Sequence, residues 1–189
     1  MDGPADTAPL QAGAGTGAPA EREQAGGTPA APPRVVVIGV GNSMRRDDGA
    51  GIAVVERARP LLPDAVEVLT LGGETTSLLD AWEGAELAVV VDAVRWEHPP
   101  ASGVGRIDVI AEPDAVTGFG ATASSHGFGV AEAVALGRVL DRLPARLVLL
   151  LVSLVEEGHG EGLSPAVEGR VGEAVRLLLA EVGVATGAD

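Results

Sequence analysis

Three loops of this sequence carry side chains able to do chemistry. The first is Gly39-Val40-Gly41-Asn42-Ser43-Met44-Arg45-Arg46-Asp47-Asp48-Gly49, a glycine turn holding the chain's only asparagine, followed by two adjacent carboxylates just ahead of a helix. The second carries Asp92, which follows the apolar run Leu87–Val91 and sits where a charge needs a partner. The third is Ser124-Ser125-His126-Gly127, where either serine can cap the next helix and leave the imidazole to face the strand ends. Asp48, Asp92 and His126 together make an oxygen and nitrogen donor set suited to an open site for nickel, zinc or cadmium. Simpler roles compete: Asp47 or Asp48 is expected to cap the helix, Asp92 could turn a loop, and a single histidine is more often structural.

Other chemistries are excluded by residue type. The 13 basic residues are all arginines, and lysine, cysteine and tyrosine are absent. That removes disulfides, thiolate metal sites, cysteine nucleophiles, Schiff-base lysines and the P-loop lysine. A dinucleotide fingerprint fails because Met44 stands where its third glycine belongs, and Thr70 and Leu71 where its acid belongs. Ser125 adjoins His126 too closely to be activated by it, and no Gly-x-Ser-x-Gly elbow exists. The net charge of −14, with Arg45 and Arg46 the only adjacent arginines, argues against nucleic acid. Two tryptophans and two phenylalanines are too few for a stacking site. His159, in Glu156-Glu157-Gly158-His159-Gly160-Glu161, could be written as a second metal cluster, but a mobile solvated loop is the simpler expectation. His98 is expected at the surface, Trp82 in helix packing, and Trp96 in a loop open to a partner.

These loops must be held by regular elements. Residues 1–33 contain 9 Ala, 6 Gly and 6 Pro and read as a disordered tail, leaving one domain over 34–183 and a short flexible terminus, 184–189. Strands are expected at Arg34–Gly39, Val66–Thr70, Leu87–Val91, Val104–Ile110 and Leu147–Val152, the fourth peripheral. Helices are expected at Gly51–Leu62, Thr75–Trp82 and Gly129–Leu143, the last with Leu136, Val139, Leu140 and Leu143 as one stripe. Ser164 and Pro165 then cap and open a final amphipathic helix. Apolar strands alternating with helices imply an α/β sandwich around a mostly parallel sheet, whose ligands gather at the strands' carboxyl ends. No run is long enough to span a membrane and no signal peptide precedes the domain, so a soluble, cytoplasmic, monomeric chain is expected.

In order and spacing, GVGNSMRRDDGAG, LGGETTSLLDAWEGAELAVVVDAV, SSHGFGVAEAVALG and the strand leading to GLSPAVEG resemble the hydrogenase maturation endopeptidases that process the large subunit of [NiFe] hydrogenases. The resemblance covers nearly all of residues 34–182. It implies a three-layer fold with a twisted five-stranded sheet and helices on both faces. It also implies a protease that recognises nickel already installed in and carried by its substrate, and removes a C-terminal peptide from the large-subunit precursor. The family's metal-contacting and catalytic positions fall on Asp48, Asp92 and His126. Gly39, Gly41, Asn42, Asp47 and the Gly72-Gly73 turn match framework or substrate-loop positions.

Two departures stand out. The first metal-contacting position is often glutamate in the family, whereas Asp48 is one methylene shorter. An acid often precedes the double glycine, whereas here Leu71 precedes it and Glu74 follows. A non-cleaving checkpoint or assembly protein that binds the large subunit is the alternative reading.

Overall fold

The computed structural model describes residues 33–116 and 127–186, all within the unit Pro32–Asp189. The tail assignment over 1–32 and the end of the terminus at 187–189 lie outside the described residues. Five strands form one sheet in the order β2-β1-β3-β5-β4: β1 Val35–Val40, β2 Val66–Leu71, β3 Leu87–Val94, β4 Val104–Asp108 and β5 Arg146–Ser153. The central pairings are parallel, and only the edge strand β4 runs antiparallel, against β5.

Every residue of β1 and β3 is buried, because side chains alternating along each strand meet a helical layer on both sides. On one face Val35, Val37, Val89 and Val91 pack with α1 (Ala50–Ala58) and α4 (Pro165–Thr186). On the other, Val36, Ile38, Ala88 and Val90 pack with α2 (Thr75–Trp82) and α3 (Gly127–Val139). The result is the expected three-layer α/β sandwich. Among the described residues no helix is long and apolar enough to cross a membrane.

Several boundaries differ from the sequence reading. The first helix stops at Ala58 and passes into a tighter turn, Arg59–Leu61, where Pro60 cannot continue the α ladder. α4 runs to Thr186, three residues into the segment expected to be flexible. The expected stripe on α3 is displaced: Val139 is 82% exposed and Leu140 lies past the helix end, while Val130, Ala133 and Val134 face the core. Small residues occupy that face because α3 approaches other backbone closely. A Cβ at Gly129 would lie 1.9 Å from the carbonyl oxygen of Gly73, so the Gly72-Gly73 turn and the first turn of α3 fit together only without a side chain there.

Gly129→Ala should therefore cost roughly 1–3 kcal/mol, the range for overpacked sites. A thermal melt checks this, and an unchanged midpoint would show that the α3 start can shift without loss.

Candidate active site

The parallel strand order reverses between β1 and β3: the chain leaves β1 through α1 for β2 on one side, then returns through α2 to β3 on the other. A crevice at the carboxyl ends is the geometric consequence. β1 pairs with β3 only as far as Gly39 opposite Val91, so Asp92, Ala93 and Val94 continue beyond their neighbour. The loop after β1 fills the space beyond, and its 3₁₀ turn, Arg46–Gly49, packs against β3.

Asp48 lies in that turn and is 5% exposed; Asp92 lies inside β3 and is fully buried. Asp92 is thus a strand residue, not the loop residue expected, and it occupies the sheet face covered by α2 and α3. Its Oδ1 accepts from the Ala93 amide at 2.8 Å, while Oδ2 is buried with no hydrogen-bond partner among the described residues. Burial pushes the Asp92 pKa up to about 8; the Ala93 hydrogen bond opposes this and the nearby Asp48 charge adds to it. The two carboxylates therefore sense one another across the crevice. His126 immediately precedes α3 in the chain and lies outside the described residues. Among those described, no cluster of three metal-ligating side chains occurs, so the pair from β3 and the β1 loop is the part of the donor set that the structure places together.

Asp47 does different work from its neighbour. It is completely buried, and it caps no helix: Gly49 stands at the N-cap of α1 with no side-chain cap bond, which corrects the expectation for Asp47 and Asp48. Its carboxylate instead accepts from the amides of Val155 (2.9 Å), Glu156 (2.6 Å) and Ser164 (2.7 Å) and from the Ser164 hydroxyl (2.9 Å). Burial alone would raise its pKa, but the hydrogen bonds from Glu156, Ser164 and Val155 together hold it below the usual carboxylate range. Ser164 does cap α4, its Oγ accepting from the Val167 amide at 3.4 Å while donating to Asp47.

The acidic segment around His159 is consequently fastened down, contrary to the mobile loop expected. Besides the Asp47 contacts, Arg46 donates its amide to Gly160 at 2.9 Å and Gly160 donates to Met44 at 2.9 Å, an isolated parallel bridge between Arg45 and Gly160. The bridge holds Arg46 at φ 54°, a left-handed conformation costing a residue with a Cβ roughly 1–2 kcal/mol. His159 itself is exposed.

The framework residues close the same loop. Asn42 is exposed, its Oδ1 accepting from the Met44 amide at 2.9 Å, a side-chain turn that starts the descent toward Asp48. Gly41 has φ 141° and donates to Leu71 O at 3.1 Å, and a Cβ on it would lie 1.9 Å from the Asp48 carbonyl oxygen. Gly39 lies in β1 against Gly51 and Val55 of α1. Glu74 is exposed at the N-cap of α2 with its carboxylate folded over Gly72. Trp96, half-buried, covers Gly105 of β4 and packs in the core rather than standing open to a partner.

A profile of the family described as hydrogenase maturation protease matches residues 52–181. The hydrogenase expression/formation protein HupD of Rhodobacter capsulatus is 34% identical over 157 residues, 79% of this chain and 73% of its own. The hydrogenase 2 maturation protease of Escherichia coli K12 is 29% identical over 150 residues, covering 78% of this chain and 89% of its own. Among solved structures, the hydrogenase maturating endopeptidase HybD of Escherichia coli superposes with a TM-score of 0.66 at 27% identity, over 79% of this chain and 91% of its own.

The two buried acids should respond to replacement in opposite directions. Asp47→Asn keeps one acceptor oxygen but turns the other into an NH2 that faces buried donors, and should destabilise by about 2 kcal/mol or more at neutral pH. Since the native Asp47 pKa is lowered, its contribution is present above the unfolded value of 3.8 and fades as pH falls through the folded value. Asp92 binds a proton in the native chain that the unfolded chain has released between its unfolded value of 3.8 and about 8, so its effect on stability worsens as pH rises through that window. Asp92→Asn should therefore gain on the wild type by at least about 1.4 kcal/mol between pH 5 and pH 8, one pKa unit's worth. Urea midpoints at the two pH values decide; a constant difference would refute the assigned burial of charge.

Proposed function

The chain belongs to the hydrogenase maturation protease family, and from that premise we propose that it removes the C-terminal peptide of a [NiFe] hydrogenase large-subunit precursor after nickel insertion. The chain is a peptidase. The finer reading is that nickel arrives with the substrate and is clamped by Asp48, Asp92 and His126, the enzyme acting as a single copy in the cytoplasm with no resident metal. The observation that carries this is the buried Asp92 Oδ2, which has no hydrogen-bond partner among the described residues and lies beside a second acid in a crevice at the strand ends. A carboxylate in that position is stabilised by an approaching cation. Carboxylate and imidazole donors are appropriate to nickel.

Mechanistically, Asp92 holds a proton while no cation is near and yields it when the substrate's cation approaches, which makes engagement sensitive to whether the metal is present. Asp48, carried on a turn fixed at both ends, sets where that cation stops relative to β3. Nickel held there supplies polarising charge to the scissile carbonyl. The shorter Asp48 side chain requires the turn to sit close to β3, and the contact between them satisfies that requirement.

Incubation with the precursor, with and without nickel loading, followed by intact mass measurement, tests this. Loss of one C-terminal peptide from the nickel-loaded form alone is expected. Asp48→Asn and His126→Ala should each lower processing by two orders of magnitude or more while leaving the melting curve that of a folded protein. A stable complex with no mass change would favour the non-cleaving checkpoint, and full processing by both variants would overturn the clamp.

A further inference from the structure

Arg45 and Arg46 differ from every other described arginine. Arg34, Arg57, Arg59, Arg95, Arg106, Arg142, Arg146 and Arg176 pair with carboxylates, and Arg138 and Arg170 bond main-chain carbonyls. Among the described residues, the guanidinium groups of Arg45 and Arg46 alone have neither kind of partner. They stand directly before Asp47 and Asp48, in the loop whose backbone is held by Gly160.

Arg46 also lines a cleft of about 150 Å³ between the β1 loop and the segment before α4. Ile52 and Ala53 of α1 and Leu163 supply its apolar surface, Ser43 and Gly162 its rim, and Gly49, next in the chain after Asp48, reaches it too. The space accommodates one branched aliphatic side chain.

Resting on the proposed function, we infer that this cleft binds the C-terminal extension of the precursor: an aliphatic side chain enters the apolar floor and Arg46, supported by Arg45, pairs with a carboxylate of the same extension. Three observations converge. The cation is unpartnered, the adjoining cleft is apolar, and the backbone at Arg46 is held in a left-handed conformation that glycine would occupy more easily. A guanidinium forms two parallel bonds to a carboxylate, so it fixes the direction of a peptide as well as attracting it. Gly49 of the cleft follows Asp48 in the chain, so an extension held there lies against the turn that carries that acid.

The test measures processing kinetics and, independently, the dissociation constant of the complex with the nickel-loaded precursor. Arg46→Gln should raise KM and the dissociation constant about tenfold with at most a twofold fall in kcat, and Arg46→Lys should restore part of the loss. Arg46→Gly should weaken binding equally yet melt no lower than wild type, which a purely structural arginine would not allow. Ala53→Leu, filling the floor, should also weaken binding. A precursor with the acidic side chains of its extension amidated, and another lengthened by a glycine tail, distinguish a side-chain carboxylate from the terminal one. Unchanged KM and dissociation constant in Arg46→Gln would overturn the inference. If wild type binds the precursor without cutting it, the protease reading fails while the dissociation constants still decide this one; if it does not bind, both fail.

Discussion

The Asp47 carboxylate joins three segments of the chain at the carboxyl edge of the sheet: the loop after β1, the residues following β5, and the N-terminus of α4. Four donors converge on it from parts of the sequence more than a hundred residues away. An ionised carboxylate inside protein is tolerable only with such saturation. Everything around the crevice follows from this attachment. It fixes where Asp48 can lie, it sets the start of α4 through Ser164, and it brings Gly160 alongside Arg45 so that the bridge can form.

Asp92 is the counterpart, a carboxyl group with one oxygen left without a hydrogen-bond partner among the described residues. β3 gains burial from every one of its eight positions, and a valine at 92 would suit that packing better than an acid does. The strand therefore carries a local defect at the point where the sheet topology opens a crevice. Such a defect weakens the native state as pH rises through the range in which the buried carboxyl would ionise. The buried acids thus differ in cost: Asp47 is saturated with donors, whereas Asp92 has one oxygen with no hydrogen-bond partner among the described residues.

Much of the fold is legible in the sequence because the strands are continuous apolar runs and the connections carry recognisable turn residues. The edge position of β4 follows from its weaker alternation, and the Ser164–Pro165 start of α4 from capping chemistry alone. What the sequence conceals is long-range. Asp47 and Asp48 are chemically identical neighbours, and only the amides of Val155, Glu156 and Ser164, set in place by the fold, tell them apart. The loop around His159 looks mobile by composition, yet its order comes from backbone bonds to Met44 and Arg46 that leave no trace in residue type. The buried face of α3 departs from the sequence pattern for a related reason: Leu and Val mark a hydrophobic stripe, but close approach to the Gly72-Gly73 turn selects glycine, alanine and valine instead.

The bridge between Arg45 and Gly160 has a further consequence for how a substrate is met. A surface segment left to fluctuate would lose its conformational freedom on each encounter, and that loss would subtract from affinity at every turnover. Here the ordering is completed once, during folding, and the strained residue at its centre is carried by the stability of the whole domain. Association can then proceed as the docking of two preformed surfaces, so discrimination between partners rests on shape and charge rather than on which of them best induces order.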